Sequence, residues 1–385
     1  MIKRSTLIAT ALLSTAAFAA LFAAPGCSST PADTAPTTKA GAQPPPRPTT
    51  VATGKTVWYA VNALKLGLTR KSDGQPDANA WKDYGYDLDS RTTTTTDSKT
   101  SVNSCKRREG SPTNVLQDGN EGRDNNFGQH VMSVIKSLKA DAEDAVTAAV
   151  KDGSFTLLIK IDNFTTGDNS SAPAFVYVAN DFKDKMGTPT FGAGETGWKI
   201  VDGSLADGKT IANPKLTFPK GYIANGYWVS GDFGTGRINL NISLSGADIS
   251  LPIDSGVISF KVADGKDGTI AGAMNIKALE EALAPVAKRF GICPGNATYE
   301  QVISTLTQSA DLVSGAPGLQ DTSKTCDAIS IALGFTAAQI GDHSTAPIKV
   351  TSTMTGPDEC VEGGETGPKD TGTDTGTKTD APAGG

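Results

Sequence analysis

Apolar residues change their spacing several times along this chain, and each change marks a different kind of segment. From Leu7 to Ala24 they form one run without an acidic group, preceded by Lys3 and Arg4 and closed by Pro25, Gly26 and Cys27. A positive start, a short apolar stretch and small residues before a cut are what the export machinery requires, so residues 1–26 read as a removable signal. Residues 27–53 then lose their large apolar groups in favour of Pro, Thr, Ala and Ser. Such a composition cannot offset the entropy of ordering, and it predicts a disordered tether. The β-branched and aromatic run Thr56 to Val61 opens the folded part.

Between Gln129 and Lys151 the period becomes helical. Val131, Val134, Ile135, Leu138, Ala142, Ala145, Val146 and Ala149 share a face and Gly153 supplies a stop, which predicts one long helix over 129–151. Beyond Gly153 the period falls to two. It is clearest from Arg237 to Leu244, where Ile238, Leu240, Ile242 and Leu244 alternate with polar residues. Similar segments recur at 155–161, 175–179, 198–201, 215–218, 227–230, 249–253, 257–262 and 269–276, punctuated by Gly, Asp, Asn or Pro. Many short strands at this spacing predict a mainly β (α+β) fold, with an antiparallel β-sandwich or jelly-roll-like body over 54–275 that includes the helix.

The pattern turns helical again at Ile276, Leu279, Leu283, Val286, Ala287 and Phe290, with Pro285 expected to bend or split the helix. Thr298 to Gln301 has capping-box spacing ahead of Val302, Ile303 and Leu306. Residues 276–360 are therefore expected to form a small helical appendage with its closing segment, and 361–385, poor in apolar groups, a disordered tail. Cys293 precedes the second of these helices and Cys326 follows it. A Cys293 to Cys326 disulfide would close the appendage, leaving Cys105 and Cys360 to pair by elimination.

Charge narrows the partners. Removing residues 1–26 takes Lys3 and Arg4 with it and deepens the formal charge beyond −6. A net negative surface repels phosphate backbones, so nucleic acid is excluded as a partner. After the signal there is no run of about 18 apolar residues that could span a bilayer.

Residues Ala24-Pro25-Gly26-Cys27 end the signal in a way that resembles bacterial lipoproteins, although the family prefers Leu at the first of these positions and a small residue at the second. The resemblance implies that Cys27 is acylated and becomes the mature N-terminus. The chain would then be held to a membrane, because each buried methylene contributes about 0.8 kcal/mol and two or more chains act together. Ser28 follows the cysteine where retention in the inner membrane favours Asp, so the resemblance implies the cell envelope at the outer membrane, on its periplasmic or its exposed side.

Several motifs are matched by letters alone. Gly203 to Thr210 fits the phosphate-loop pattern, but Pro214 and a strand-like Leu216-Thr217-Phe218 follow where a helix is needed. Gly192 to Gly197 likewise runs on into a strand, so no nucleotide is expected. Asp370 and Asp374 stand in Asp-Thr-Gly triplets inside the tail. The chain has two histidines, His130 and His343, neither in a recognisable catalytic setting. Asp83, Asp87 and Asp89 could supply the two carboxylates of a secreted carbohydrate-active hydrolase.

The loop Asp118 to Gly128 reads differently. Asp118, Asn120, Asp124 and Asn125 put hard oxygen donors between glycines, which suits either an Asx-turn loop that caps the following helix, with no cofactor, or a calcium loop that holds Ca²⁺. It departs from calcium loops at Gly122 and Arg123 and lacks their terminal Glu. Asp124-Asn125-x-Phe127-Gly128 also resembles a stretch of myxobacterial surface lipoproteins that combine a cysteine, a Gly-rich Asp-Asn loop, a helix and β strands. That resemblance covers residues 56–345 loosely and implies no activity. Together these readings predict a membrane-tethered exported lipoprotein with a non-catalytic binding or structural role, facing a glycan or an envelope protein, and the hydrolase as its alternative.

Overall fold

The computed structural model describes residues 41–96, 104–138, 140–232, 237–244, 247–289, 291–350 and 360. The signal, Cys27, the first half of the tether and the tail lie outside the described residues.

The described strands join one mixed sheet of twelve strands. β1 (Lys55–Lys65) pairs antiparallel with β2 (Phe155–Phe164), and β2 with β3 (Ala174–Asn180). β4 (Lys199–Val201) and β5 (Leu216–Phe218) both pair with β3. On the other side follow β6 (Tyr222–Ala224), β7 (Tyr227–Val229), β8 (Arg237–Leu244), β9 (Ala247–Lys261) and β10 (Gly268–Asn275). β11 (Ala328–Ile340) sits between β10 and β1 and completes the sheet. β12 (Ile348–Lys349) adds in parallel to β4. The expected sandwich was a pair of stacked sheets; the hydrogen-bonded path found here is continuous from β12 to β6.

Both faces of the middle strands are buried. In β1, Val57, Tyr59 and Val61 enter the main core, while Trp58 and Ala60 enter a second cluster with Leu158, Tyr177, Trp198 and Ile340. Side chains alternate across a strand, so apolar residues of both parities need a cover on each side. α2 (Ala142–Lys151) packs across β1, and α3 (Ile276–Arg289) across β9.

Four expectations change here. The helix over 129–151 is interrupted: a π turn at Phe127–Val131 leads into α1 (Met132–Leu138), and α2 starts afresh after Asp141. The restart lets Glu143 turn back and accept the N–H groups of Leu66 and Leu68, each at 3.0 Å, where the chain leaves β1. α3 instead runs through Pro285 unbroken, and α4 (Ala297–Gln308) is capped by Asn296, which accepts the Tyr299 N–H at 2.7 Å, in place of a box starting at Thr298. Only part of 276–360 is an appendage, because 328–340 is a central strand.

The disulfides are Cys105 to Cys326 and Cys293 to Cys360, with Cα atoms 5.3 and 5.5 Å apart. The expected partners are thus exchanged. Lys106 lies beside Thr325 in a parallel bridge, with Lys106 N donating to Lys324 O at 2.7 Å and Cys326 N to Lys106 O at 3.0 Å. That adjacency fixes the first bond, and it joins residues too far apart in sequence for loop spacing to reveal.

The later half of the predicted tether is also ordered. Residues 41–54 lie extended on the body: Tyr222 Oη donates to Pro45 O at 2.6 Å, and Ser170 N to Thr50 O at 2.6 Å. The Arg47 guanidinium stacks 4.5 Å above the Tyr222 ring and donates to Ser170 O at 2.7 Å and Lys220 O at 2.5 Å. Proline without an N–H and arginine with five donors suit such a strap, which needs anchoring rather than a ladder.

Candidate functional site: a buried carboxylate cluster

β1 ends at Lys65 opposite Gly334, so the β11 edge beyond it has lost its partner strand. Side chains finish the pairing. Asp311 accepts the Ser330 N–H at 2.8 Å, and the Asn125 Oδ1 accepts the Ala332 N–H at 3.1 Å and the Gly128 N–H at 3.0 Å. Asn126 is held just as firmly, donating its N–H to Ser330 Oγ at 2.7 Å and its amide to Ser309 O at 2.9 Å. Two glycines let a second loop lie on the same strand. A Cβ at Gly334 would come 2.2 Å from the Tyr84 ring, and one at Gly85, whose φ is +101°, would come 2.7 Å from the Ala332 Cβ.

These two loops carry Asp87, Asp89 and Asp124, each at most 4% exposed, to one point. One carboxylate oxygen from each lies within 4.8 Å of the others. Asp124 accepts the Leu88 N–H at 2.6 Å, and the Arg91 N–H is shared between Asp87 at 3.1 Å and Asp89 at 2.9 Å. Asp118 stands behind, accepting the Thr93 N–H at 2.5 Å and adding its charge to that of Asp124. The ordered strap reaches the same place, with Gly41 N donating to Asp87 Oδ2 at 2.7 Å.

Such crowding is costly for anions. Burial, and then the charges of their neighbours, pushes Asp118 and Asp124 well above the usual carboxylate range. Burial raises Asp89 to about 6 and Asp311 to about 7, while Asp87 is also raised by burial. Three buried carboxyls with oxygens within 4.8 Å of one another cannot all stay ionised unaided, because like charges this close disfavour the charged form. The nearby Arg91 Nε–H points elsewhere, to Gln320. The group can therefore be neutral through shared protons or through a cation in their place.

The dimensions fit a hard cation. Ca²⁺ binds oxygen at about 2.3–2.6 Å, so two oxygens on one ion are at most about 5 Å apart, and the three carboxylates meet that limit at 4.8 Å. Of the loop residues singled out by sequence, Asp118 and Asp124 are brought together. Asn125 is occupied by β11, and Asn120 is exposed, donating to Asp83 Oδ1 at 2.7 Å. Asp87 and Asp89 join instead. Their Asp-x-Asp spacing was visible, but its link to the loop at Asp118 is tertiary.

The other motifs stay apart from this centre. Asp83 is exposed, while Asp87 and Asp89 are 0% and 1% exposed, so the three do not share an open cleft for a polysaccharide. Asp207 caps the N–H groups of Lys209 and Thr210 at 2.9 and 2.8 Å, making the Gly203 to Thr210 stretch a turn. Burial lowers His130 to about 4 and also lowers His343, which favours the neutral imidazole in both. Asp370 and Asp374 lie outside the described residues. Compared with family models, with curated proteins and with solved structures, the chain finds no match.

Proposed function

We propose that this chain is an exported lipoprotein of the cell envelope, anchored in the outer membrane by acyl chains on Cys27. Its role there is binding or structural rather than catalytic, toward a glycan or an envelope protein. A Ca²⁺-type cation held by Asp87, Asp89 and Asp124, with Asp118 behind them, braces its two loops against the sheet. The observation that carries this reading is the approach of three buried carboxylates to within 4.8 Å on the line where the strap, the two loops and β11 meet. A cation there would relieve the charge repulsion and tie the N-terminal segment to the last long strand. The burial of Asp87 and Asp89 disfavours the hydrolase alternative, because a glycosidase must bring its carboxyl pair to both sides of a sugar bond.

Two measurements test it. Mass spectrometry of protein from envelope fractions should find a diacyl or triacyl mass on Cys27, and an unmodified thiol on protein free in the medium would defeat the anchor. Calorimetry of cation-free protein with CaCl₂ should give saturable heat that Asp124→Asn abolishes. No heat and no change in Tm would defeat the brace.

A further inference from the structure

The register of four strands places Ile340, Trp58, Lys160 and Phe175 in one row across β11, β1, β2 and β3. Over this row, on the face away from the helices, a pocket of about 140 Å³ opens between Trp58, Lys160, Phe175, Tyr177, Ile211 and Ser344. Its floor is aromatic, with Trp58 stacked on Tyr177 at 5.5 Å between centroids. Its rim is charged on both sides. Lys160 Nζ lies 5.0 Å over the Phe175 ring and 3.2 Å from Asp162, and Ser344 donates its N–H and Oγ–H to Asp342 at 2.8 and 2.9 Å.

One group in this pocket has no explanation within the fold. Trp58 is 2% exposed, yet its Nε1–H finds no hydrogen-bond partner. Asp342 is near enough for the indole to help hold its carboxyl below the usual carboxylate range, after the Ser344 N–H and hydroxyl, yet the N–H is not aligned on it as a hydrogen bond. A buried indole N–H without a partner is uncommon and costs free energy. A ligand hydroxyl suits this N–H, because its oxygen can accept from the indole while its own hydrogen turns to the carboxylate.

We propose that this pocket binds one pyranose ring of an envelope glycan. The apolar C–H face of the ring would lie on Phe175 and Tyr177. One hydroxyl would bridge Trp58 Nε1 and Asp342, and another would meet Lys160 and Asp162. A cavity near 150 Å³ accepts a six-membered ring the size of benzene, and a site of stacked aromatics with a few convergent polar groups is the usual form of a small-ligand pocket. A phosphate or a free carboxylate is a poorer fit, since Asp342 and Asp162 would face it. The assignment rests on the glycan-binding version of the envelope reading.

The test uses the full mature chain, titrated separately with glucose, galactose and N-acetylglucosamine to tens of millimolar, followed by tryptophan fluorescence and by NMR of the indole N–H signals. We expect at least one sugar to give a saturable millimolar response that moves the Trp58 indole signal. Phe175→Ala and Lys160→Met should weaken it at least tenfold while keeping the wild-type Tm and response to calcium. Trp58→Phe, which keeps a ring and loses the donor, should weaken it several-fold. No saturable response to any of the three sugars, or a response undiminished in Phe175→Ala, would overturn the assignment. The calcium and acylation measurements remain separate, so the pocket can fail while the braced, anchored protein stands.

Discussion

Asp124 accepts the backbone N–H of Leu88 at 2.6 Å, and this contact ties the loop before the first helices to the loop that carries Asp87 and Asp89. An ion at this junction would stabilise by about 2.7 kcal/mol at a hundredfold excess over its Kd. In a domain of this size that corresponds to a Tm rise of several degrees. Calcium should therefore raise Tm in the wild type, and Asp89→Asn or Asp124→Asn should remove most of the rise. Differential scanning calorimetry with CaCl₂ or with chelator decides this.

Without the ion, stability should depend on pH in a definite sense. Asp89, raised to about 6, and Asp311, raised to about 7, bind protons more tightly when folded than when unfolded. Their favourable contribution is complete below the ordinary carboxylate value near 3.8 and is lost as pH rises through 6 to 7. For Asp311, which is buried, the loss is of the order of 4 kcal/mol. Chelated protein should melt higher at about pH 5 than at about pH 8. Asp311→Asn should flatten the upper part of that slope, and a Tm that climbs steadily with pH would contradict the assignment.

Glu143 is the partner of two backbone N–H groups just beyond β1, and Thr69 Oγ1 donates to it as well. Glu143→Ala should cost about 2–4 kcal/mol in urea denaturation because it strands buried donors. Glu143→Gln, which keeps one acceptor oxygen, should cost less.

Unreduced peptide mapping should recover Cys105 linked to Cys326 and Cys293 linked to Cys360. Loop entropy assigns about 5.4 kcal/mol to the first bond and about 4.4 kcal/mol to the second. The double change Cys105→Ser, Cys326→Ser should accordingly lower the denaturation midpoint sharply.

Arg47→Ala removes the stacking on Tyr222 and the contacts to Ser170 and Lys220. Limited proteolysis should then cut within 41–54 faster than in the wild type, while the body keeps its Tm within a few degrees. Equal cutting rates would show that the strap is held by other contacts.

The period-two pattern made most strands legible because each exposes one face or ends in a turn. β11 was not legible: Ala328-Ile-Ser-Ile-Ala-Leu-Gly-Phe335 is apolar at both parities, since both its faces are covered, and such a run reads the same in a buried helix. Segments 249–253 and 257–262 looked separate because Asp254, Ser255 and Gly256 resemble a turn, yet β9 passes through them, with Ser255 at φ 53° marking the irregularity. At the carboxylate cluster, Asp118 and Asp124 stood out for their glycine-spaced loop, and Asp87 and Asp89 for their alternation. What joins them is an unpaired stretch of β11, and no local pattern announces a strand whose hydrogen bonds are completed by distant side chains.

The position of β11 also sets an order of events. β1 is synthesised early, yet its second neighbour comes from residues 328–340. Until that stretch emerges, β1 has an open edge and the sheet is in two halves. Contacts this distant in sequence make for slow closure. A chain whose sheet cannot close until its final quarter arrives spends most of its synthesis with a bare strand edge, the stage at which mispairing with a second copy is easiest.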